Sequence, residues 1–176
     1  MSRHTPKVAL VPSAFFDPAS AREVLSRTVE LDQEDKVEYI SLPEFSAELV
    51  YSLSTPPVVR QAHQPSEGHQ LDQVPELVEG PEMYYLLKKL SEIPEYNKIL
   101  ASYGDGVLTL VISQGDNLLL ANTFQAADFT TAEYFLFMAV KKLQLNPEVS
   151  TVSFMTPLSG EEEMSLYRYF KAVESL

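Results

Sequence analysis

Apolar positions fall in dense blocks between residues 97 and 145, separated by polar and glycine punctuation. Ile99–Tyr103 is a short apolar run. Val107–Ser113 is rich in β-branched residues and apolar along nearly its whole length, and Leu118–Phe124 is a third run. Gly104-Asp105-Gly106 and Gln114-Gly115-Asp116-Asn117 lie between them, and glycine supplies the positive φ that tight hairpins need. The spacing predicts three strands in an antiparallel meander. The middle strand has no polar face, so it is expected to be covered on both sides. Thr130 and Glu133 have the spacing of a capping box and open a helix. From Tyr134 to Val140 the helix is an unbroken apolar run, which predicts burial around most of its circumference. Lys141 and Lys142 suit the negative end of its dipole, and Asn146-Pro147 ends it.

Outside this block the pattern is sparser. Met1–Lys7 has no periodicity and is expected to fray. Val8–Val11 reads as a strand. Asp17-Pro18 pairs an N-cap with a preorganised first helical residue, so a helix is expected to about Arg27. Val37, Tyr39 and Phe45 flank a second strand region, and Glu48–Leu53 is a third. From Met83 the apolar stripe Met83, Leu86, Leu87, Leu90 and Ile93 predicts a helix broken at Pro94. Val149–Met155 reads as a strand. Ser159 and Glu162 form a second capping box, and Met164, Leu166, Tyr167, Phe170 and Val173 predict an amphipathic final helix. From Ile99 the predicted order is therefore β-β-β-α-β-α, a mixed sheet with flanking helices.

Thr55–Glu82 breaks the pattern. It holds five of the chain's 12 prolines and two of its 3 histidines, and no helical or strand period is sustained. We read 55–82 as a disordered Pro-rich insertion. It divides a partial α/β half-domain at 8–54 from a second half-domain at 83–176. Its wording also resembles translated intergenic repeat elements of bacterial genomes.

Composition narrows the chemistry. The chain has 176 residues, 45% hydrophobic, enough for one sizeable core. No apolar run is long enough for a bilayer, which takes ~20 residues. There is no cysteine, which fits a cytoplasmic, reducing environment and removes thiol nucleophiles and Cys-zinc sites. A net charge of −12, from 25 acidic and 13 basic residues, argues against nucleic acid and anionic membranes. His63 and His69 have no metal-site spacing, and no serine-hydrolase elbow is present. Asp32, Glu34 and Asp35 lack the glycine and terminal glutamate of a calcium loop. Glu161–Glu163 read as a first-turn acidic bias.

The order β-β-β-α-β-α is that of a ribonuclease-H-like half-domain. Phe15-Phe16-Asp17 after Val-Pro-Ser, the Tyr51-Ser52-Leu53 strand, Leu118–Phe124 and Tyr167-Arg168-Tyr169-Phe170 together resemble an uncharacterised bacterial domain family of unknown function with an actin-like ATPase fold. The resemblance covers most of the chain outside 55–82. It implies a nucleotide site at the glycine turns, with Ser102, Gly104, Asp105, Gly106 and Gly160 as cofactor-binding positions for ATP with magnesium. It also implies an Asp two residues before the turn glycine, and Ser102 stands there. A neutral hydroxyl cannot organise magnesium as a carboxylate does. Only seven residues precede Val8, so the meander that opens such proteins is missing and the chain is expected to be truncated. The expectation is a non-catalytic domain with no catalytic residues, metal or cofactor, acting through protein partners. An open sheet edge would permit self-association. The alternatives are a weak actin-like ATPase and a truncated product without function.

Overall fold

The computed structural model describes residues 2–53 and 79–176. Most of the Pro-rich stretch, from 55 to 78, lies outside the described residues, and His63 and His69 with it. The largest sheet is built on the expected meander: β6 (Asn97–Gly104), β7 (Val107–Gln114) and β8 (Asn117–Gln125), paired antiparallel. After α3 (Phe129–Lys142) the chain crosses to β9 (Thr151–Phe154), parallel to β6 on the other side of the meander. After α4 (Gly160–Tyr167), β10 (Ala172–Ser175) lies parallel to β9. The strand order is β10-β9-β6-β7-β8. This is the predicted mixed sheet with one strand more.

A smaller antiparallel sheet has the order β2-β4-β3, from β2 (Val8–Pro12), β3 (Val37–Leu42) and β4 (Ala47–Ser52). Its α1 (Ala21–Ser26) follows a 3-10 turn at Pro18–Ser20, in which Asp17 accepts a bond from the Ala19 N–H at 3.0 Å. α2 (Glu82–Leu90) lies between the two sheets. Its Met83, Leu86, Leu87 and Leu90 pack with Leu100 and Val111 of the large sheet and Val8, Leu49 and Tyr51 of the small one. α3 and α4 cover the opposite face of the large sheet, where Leu136, Val140 and Leu166 meet Ile99, Leu108, Leu110 and Phe154. β7 is buried from Val107 to Ser113, as its two-sided apolar sequence requires.

Five expectations change. Residues 2–7 do not fray: β1 (Ser2–Arg3) pairs parallel with β5 (Gly80–Pro81), and the buried Thr5 hydroxyl donates to Ser52 O at 2.9 Å. α3 is capped by Asp128, whose carboxylate accepts from the Thr131 N–H at 2.7 Å, rather than by Thr130 with Glu133. That start sets Phe129 in the first turn, where its ring meets Tyr103 and Phe154. Packing chose between two acceptable caps. α3 is buried on one face only, with Tyr134 63% exposed and Phe135, Phe137 and Met138 half-buried. Pro147–Val149 is a 3-10 turn before β9 rather than strand. The last helix stops at Tyr167, and Val173 belongs to β10, whose four residues are too few to display an alternation.

Candidate functional site

The glycine turns were the predicted site, and the backbone explains each one differently. Asp105 and Gly106 both have positive φ, 51° and 72°. They are the two central residues of the β6–β7 hairpin, and the Asp-Gly pair suits a turn that demands φ > 0 at both. Gly104 is not in the turn. It ends β6, paired with Val107, and its missing side chain makes room for another residue. A Cβ there would lie 2.5 Å from His4 Nε2. The imidazole of His4 therefore covers the strand where the resemblance would place a phosphate.

Ser102 is fully buried, and its hydroxyl has no partner among the described residues. Across the ladder from it is Thr109, also fully buried and also without a partner. A carboxylate at 102 would be an unpaired buried charge, which is costly.

Gly160 opens α4 with nothing within 4 Å of the place a Cβ would take. No ligand approach is needed to explain it. The predicted capping box is present: Ser159 Oγ accepts from the Glu162 N–H at 3.3 Å, and Glu162 Oε2 accepts from the Ser159 N–H at 2.7 Å. The helix's positive end is thus occupied by its own carboxylates, Glu161–Glu163.

The fold does bring the hairpin and the starts of α3 and α4 to one end of the large sheet. The Tyr103 N–H donates to Thr156 Oγ1 at 2.9 Å and its hydroxyl donates to Ala126 O at 3.0 Å. Burial raises the Tyr103 phenol above its ordinary pKa, and the Asp128 and Glu162 carboxylates add to the effect. Bonds from Thr131 lower the pKa of Asp128. The segments 102–107, 126–131 and 155–163 that build this end contain no Lys or Arg. A triphosphate would meet negative charge, a covered strand and a neutral hydroxyl in place of a carboxylate. These residues do not fit a magnesium nucleotide. Among the described residues no group of three His, Cys, Asp or Glu could hold a metal.

The remaining charged features are structural. Lys7 Nζ bridges Asp35 at 2.6 Å and Asp32 at 3.1 Å, and Arg22 donates to the carbonyls of both. The Asp35 side chain is only 5% exposed, so its pair with Lys7 is partly buried. Its hydrogen bond is the main cause of the raised Lys7 pKa. Lysine fills the position a calcium ion would need.

A cleft of about 630 Å³ lies elsewhere. It separates Asn122, Thr123 and Gln125 of β8 from Pro6, Val29 and Glu30, and no sequence signal marked it. Two other surface cavities lie at α1 and at the foot of α2, and none of the three is lined by the hairpin. No helix among the described residues is long and apolar enough to cross a membrane.

Residues 3–173 match the model of a family described as "Protein of unknown function (DUF3822)". No curated protein matches the sequence. A crystal structure from Bacteroides thetaiotaomicron, a protein with actin-like ATPase fold and unknown function, superposes with a TM-score of 0.72 at 16% identity. The alignment covers 98% of this chain and 66% of that one. A chain of the PilM-PilN type IV pilus biogenesis complex aligns at a TM-score of 0.41 and 14% identity, over 96% of this chain and 65% of that one. The first superposition shows the actin-like fold, and the chain spans about two thirds of the length of each of the two.

Proposed function

The chain belongs to the DUF3822 family, and from that premise we propose that it is a non-catalytic actin-like-fold domain acting through protein–protein contacts. The observation that carries this reading is Ser102. It is a fully buried hydroxyl where the family resemblance implies a metal-holding carboxylate, two residues before a glycine covered by His4. Without that carboxylate, and with no Lys or Arg in segments 102–107, 126–131 and 155–163, these segments lack the groups that organise a magnesium triphosphate. Isothermal titration of Mg-ATP into the full chain tests it. No binding heat is expected up to millimolar nucleotide, and micromolar binding would overturn the reading in favour of a weak ATPase using Gly104, Gly106 and Gly160.

A second reading is self-association through an open sheet edge. β8, at one edge of the large sheet, carries no charged residue from Asn117 to Gln125, so two copies would not repel there. Sedimentation velocity decides it: a dimer at tens of micromolar supports self-association, and a monomer removes it.

A further inference from the structure

We propose that the outer face of α3, with Tyr169 beside it, binds an acidic, amphipathic helix of a partner protein. This rests on the protein-contact reading above and names where the contact is made. The sequence of α3 is that of a helix covered on both sides, and the fold covers one. Ala132, Leu136, Ala139 and Val140 pack against the large sheet. At 3.6 residues per turn, Tyr134, Phe137, Met138 and Lys141 fall on the opposite stripe. Tyr134 is 63% exposed, and Phe137 and Met138 are half-buried. The Phe137 ring meets Tyr169 at 4.8 Å, and Tyr169, just past the end of α4, is itself 52% exposed. Ring contact thus joins α3 to the turn between α4 and β10 and leaves part of each ring open. An exposed apolar patch rimmed by charge marks a contact surface.

That charge is basic. Lys141 and Lys142 close α3, and Arg168 and Lys171 flank Tyr169. All four are exposed, and none is in an ion pair among the described residues. Elsewhere Arg3, Lys7, Arg27, Lys88 and Lys89 are paired with carboxylates, and Arg22 is bonded to carbonyls. Lys98 lines the cavity at the foot of α2, on the other face of the large sheet, and Lys36 precedes β3. In a chain of net charge −12, most of the described unpaired cations therefore gather where α3 and α4 end. The acidic residues of these helices lie towards their starts: Asp128 caps α3, Glu133 follows, and Glu161–Glu163 open α4. Glu148 is near Lys171, whose N–H donates to Pro147 O at 3.0 Å, and the four cations outnumber it. The helix dipole accounts for lysines at the end of α3, but not for the open rings beside them.

The stripe sets the partner's form and the cations set its chemistry. Residues at i, i+3, i+4 and i+7 make the ridge that a second helix receives between its own side chains. From Tyr134 to Lys141 the stripe runs about 10 Å, roughly two turns. An extended segment repeats every second residue and would not match it. Apolar side chains on one face of the partner helix would cover Tyr134, Phe137 and Tyr169, and flanking carboxylates complement Lys141, Lys142 and Arg168. Two copies of this chain meeting by two-fold symmetry would set the face against itself, cation against cation. An anionic membrane would be repelled by the net charge of the whole chain.

The probe is a blocked synthetic peptide of three Glu-Leu-Ala-Glu-Leu-Leu-Glu repeats, with a control in which Lys replaces each Glu, titrated into the full chain and read by amide NMR. The expected result is that the glutamate peptide shifts the Tyr134, Phe137, Met138, Lys141 and Tyr169 amides and binds about tenfold or more tightly than the lysine peptide. Tyr134→Ser, at an exposed site, should leave the melting temperature nearly unchanged and weaken binding at least about tenfold. Lys141→Glu combined with Arg168→Glu should reverse the preference between the two peptides. Lys36→Glu combined with Lys98→Glu changes the net charge equally and should keep the parent's preference. Undisturbed α3 amides at millimolar glutamate peptide, equal binding of both peptides, binding indifferent to Tyr134→Ser, the same amides shifted by phosphatidylserine vesicles, or a dimer paired through α3 would each overturn it. Mg-ATP binding would remove the non-catalytic reading and leave the α3 face standing. Absence of peptide binding would do the reverse.

Discussion

Ser102 concentrates the case at the scale of one residue. Its hydroxyl is buried and unpartnered among the described residues, so it contributes desolvation cost without a compensating bond. Ser102→Ala should therefore leave stability within about 1 kcal/mol of the parent or raise it. Ser102→Asp, which restores the missing carboxylate, should destabilise the chain by roughly 3–5 kcal/mol at neutral pH, because the charge has no partner. Burial would raise the folded pKa of that Asp above its unfolded value near 3.9. The loss should then be absent below pH ~4 and grow as pH rises through the window between the two values. Urea denaturation at pH 4 and pH 7 measures it. An Asp variant as stable as the parent at neutral pH, and binding magnesium, would mean that the position is open after all. The serine and the turn glycines could be read in the sequence. The reason Gly104 is glycine could not, because its neighbour His4 lies a hundred residues away and belongs to a segment without periodicity.

Helix α3 makes the same point at the scale of an element. Its sequence is apolar nearly throughout, yet the packing uses one stripe, Ala132, Leu136, Ala139 and Val140. The other side carries aromatic rings paired with one another: Phe124 with Phe135 at 4.9 Å and Phe137 with Tyr169 at 4.8 Å. Hydrophobicity alone cannot separate a helix enclosed on all sides from one whose aromatic face is shared with neighbouring rings. Leu136→Ala should cost about 2–5 kcal/mol, since the leucine is 1% exposed against the sheet. Tyr134→Ser, at a 63% exposed site, should change stability by less than about 1 kcal/mol. If the two variants destabilised equally in chemical denaturation, α3 would be enclosed on both sides as its sequence alone predicts. Elements with local signals were the legible ones: the Asp105-Gly106 hairpin, the Ser159–Glu162 box, the apolar run of β7. Those formed by distant pairing were not. β1 and β5 have two residues each, and β1 joins the N-terminal segment to the chain just before α2.

At the scale of the whole molecule, α2 decides whether the two sheets behave as one body. Read along the chain, the Pro-rich stretch suggests two half-domains, and the sequence cannot say whether they share a core. The packing supplies a physical link: Leu87 is 1% exposed in a cluster that includes Leu49 and Tyr51 of the small sheet and Leu100 and Val111 of the large one. A core drawn from both sheets should melt as one, because neither sheet can bury its inner face without α2. Truncating Leu87 to alanine should lower stability by about 2–5 kcal/mol. It should also lower hydrogen-exchange protection in β4 and β7 by the same amount, since both would exchange through global opening. Loss of protection in β4 with β7 unchanged would mean that the small sheet unfolds separately.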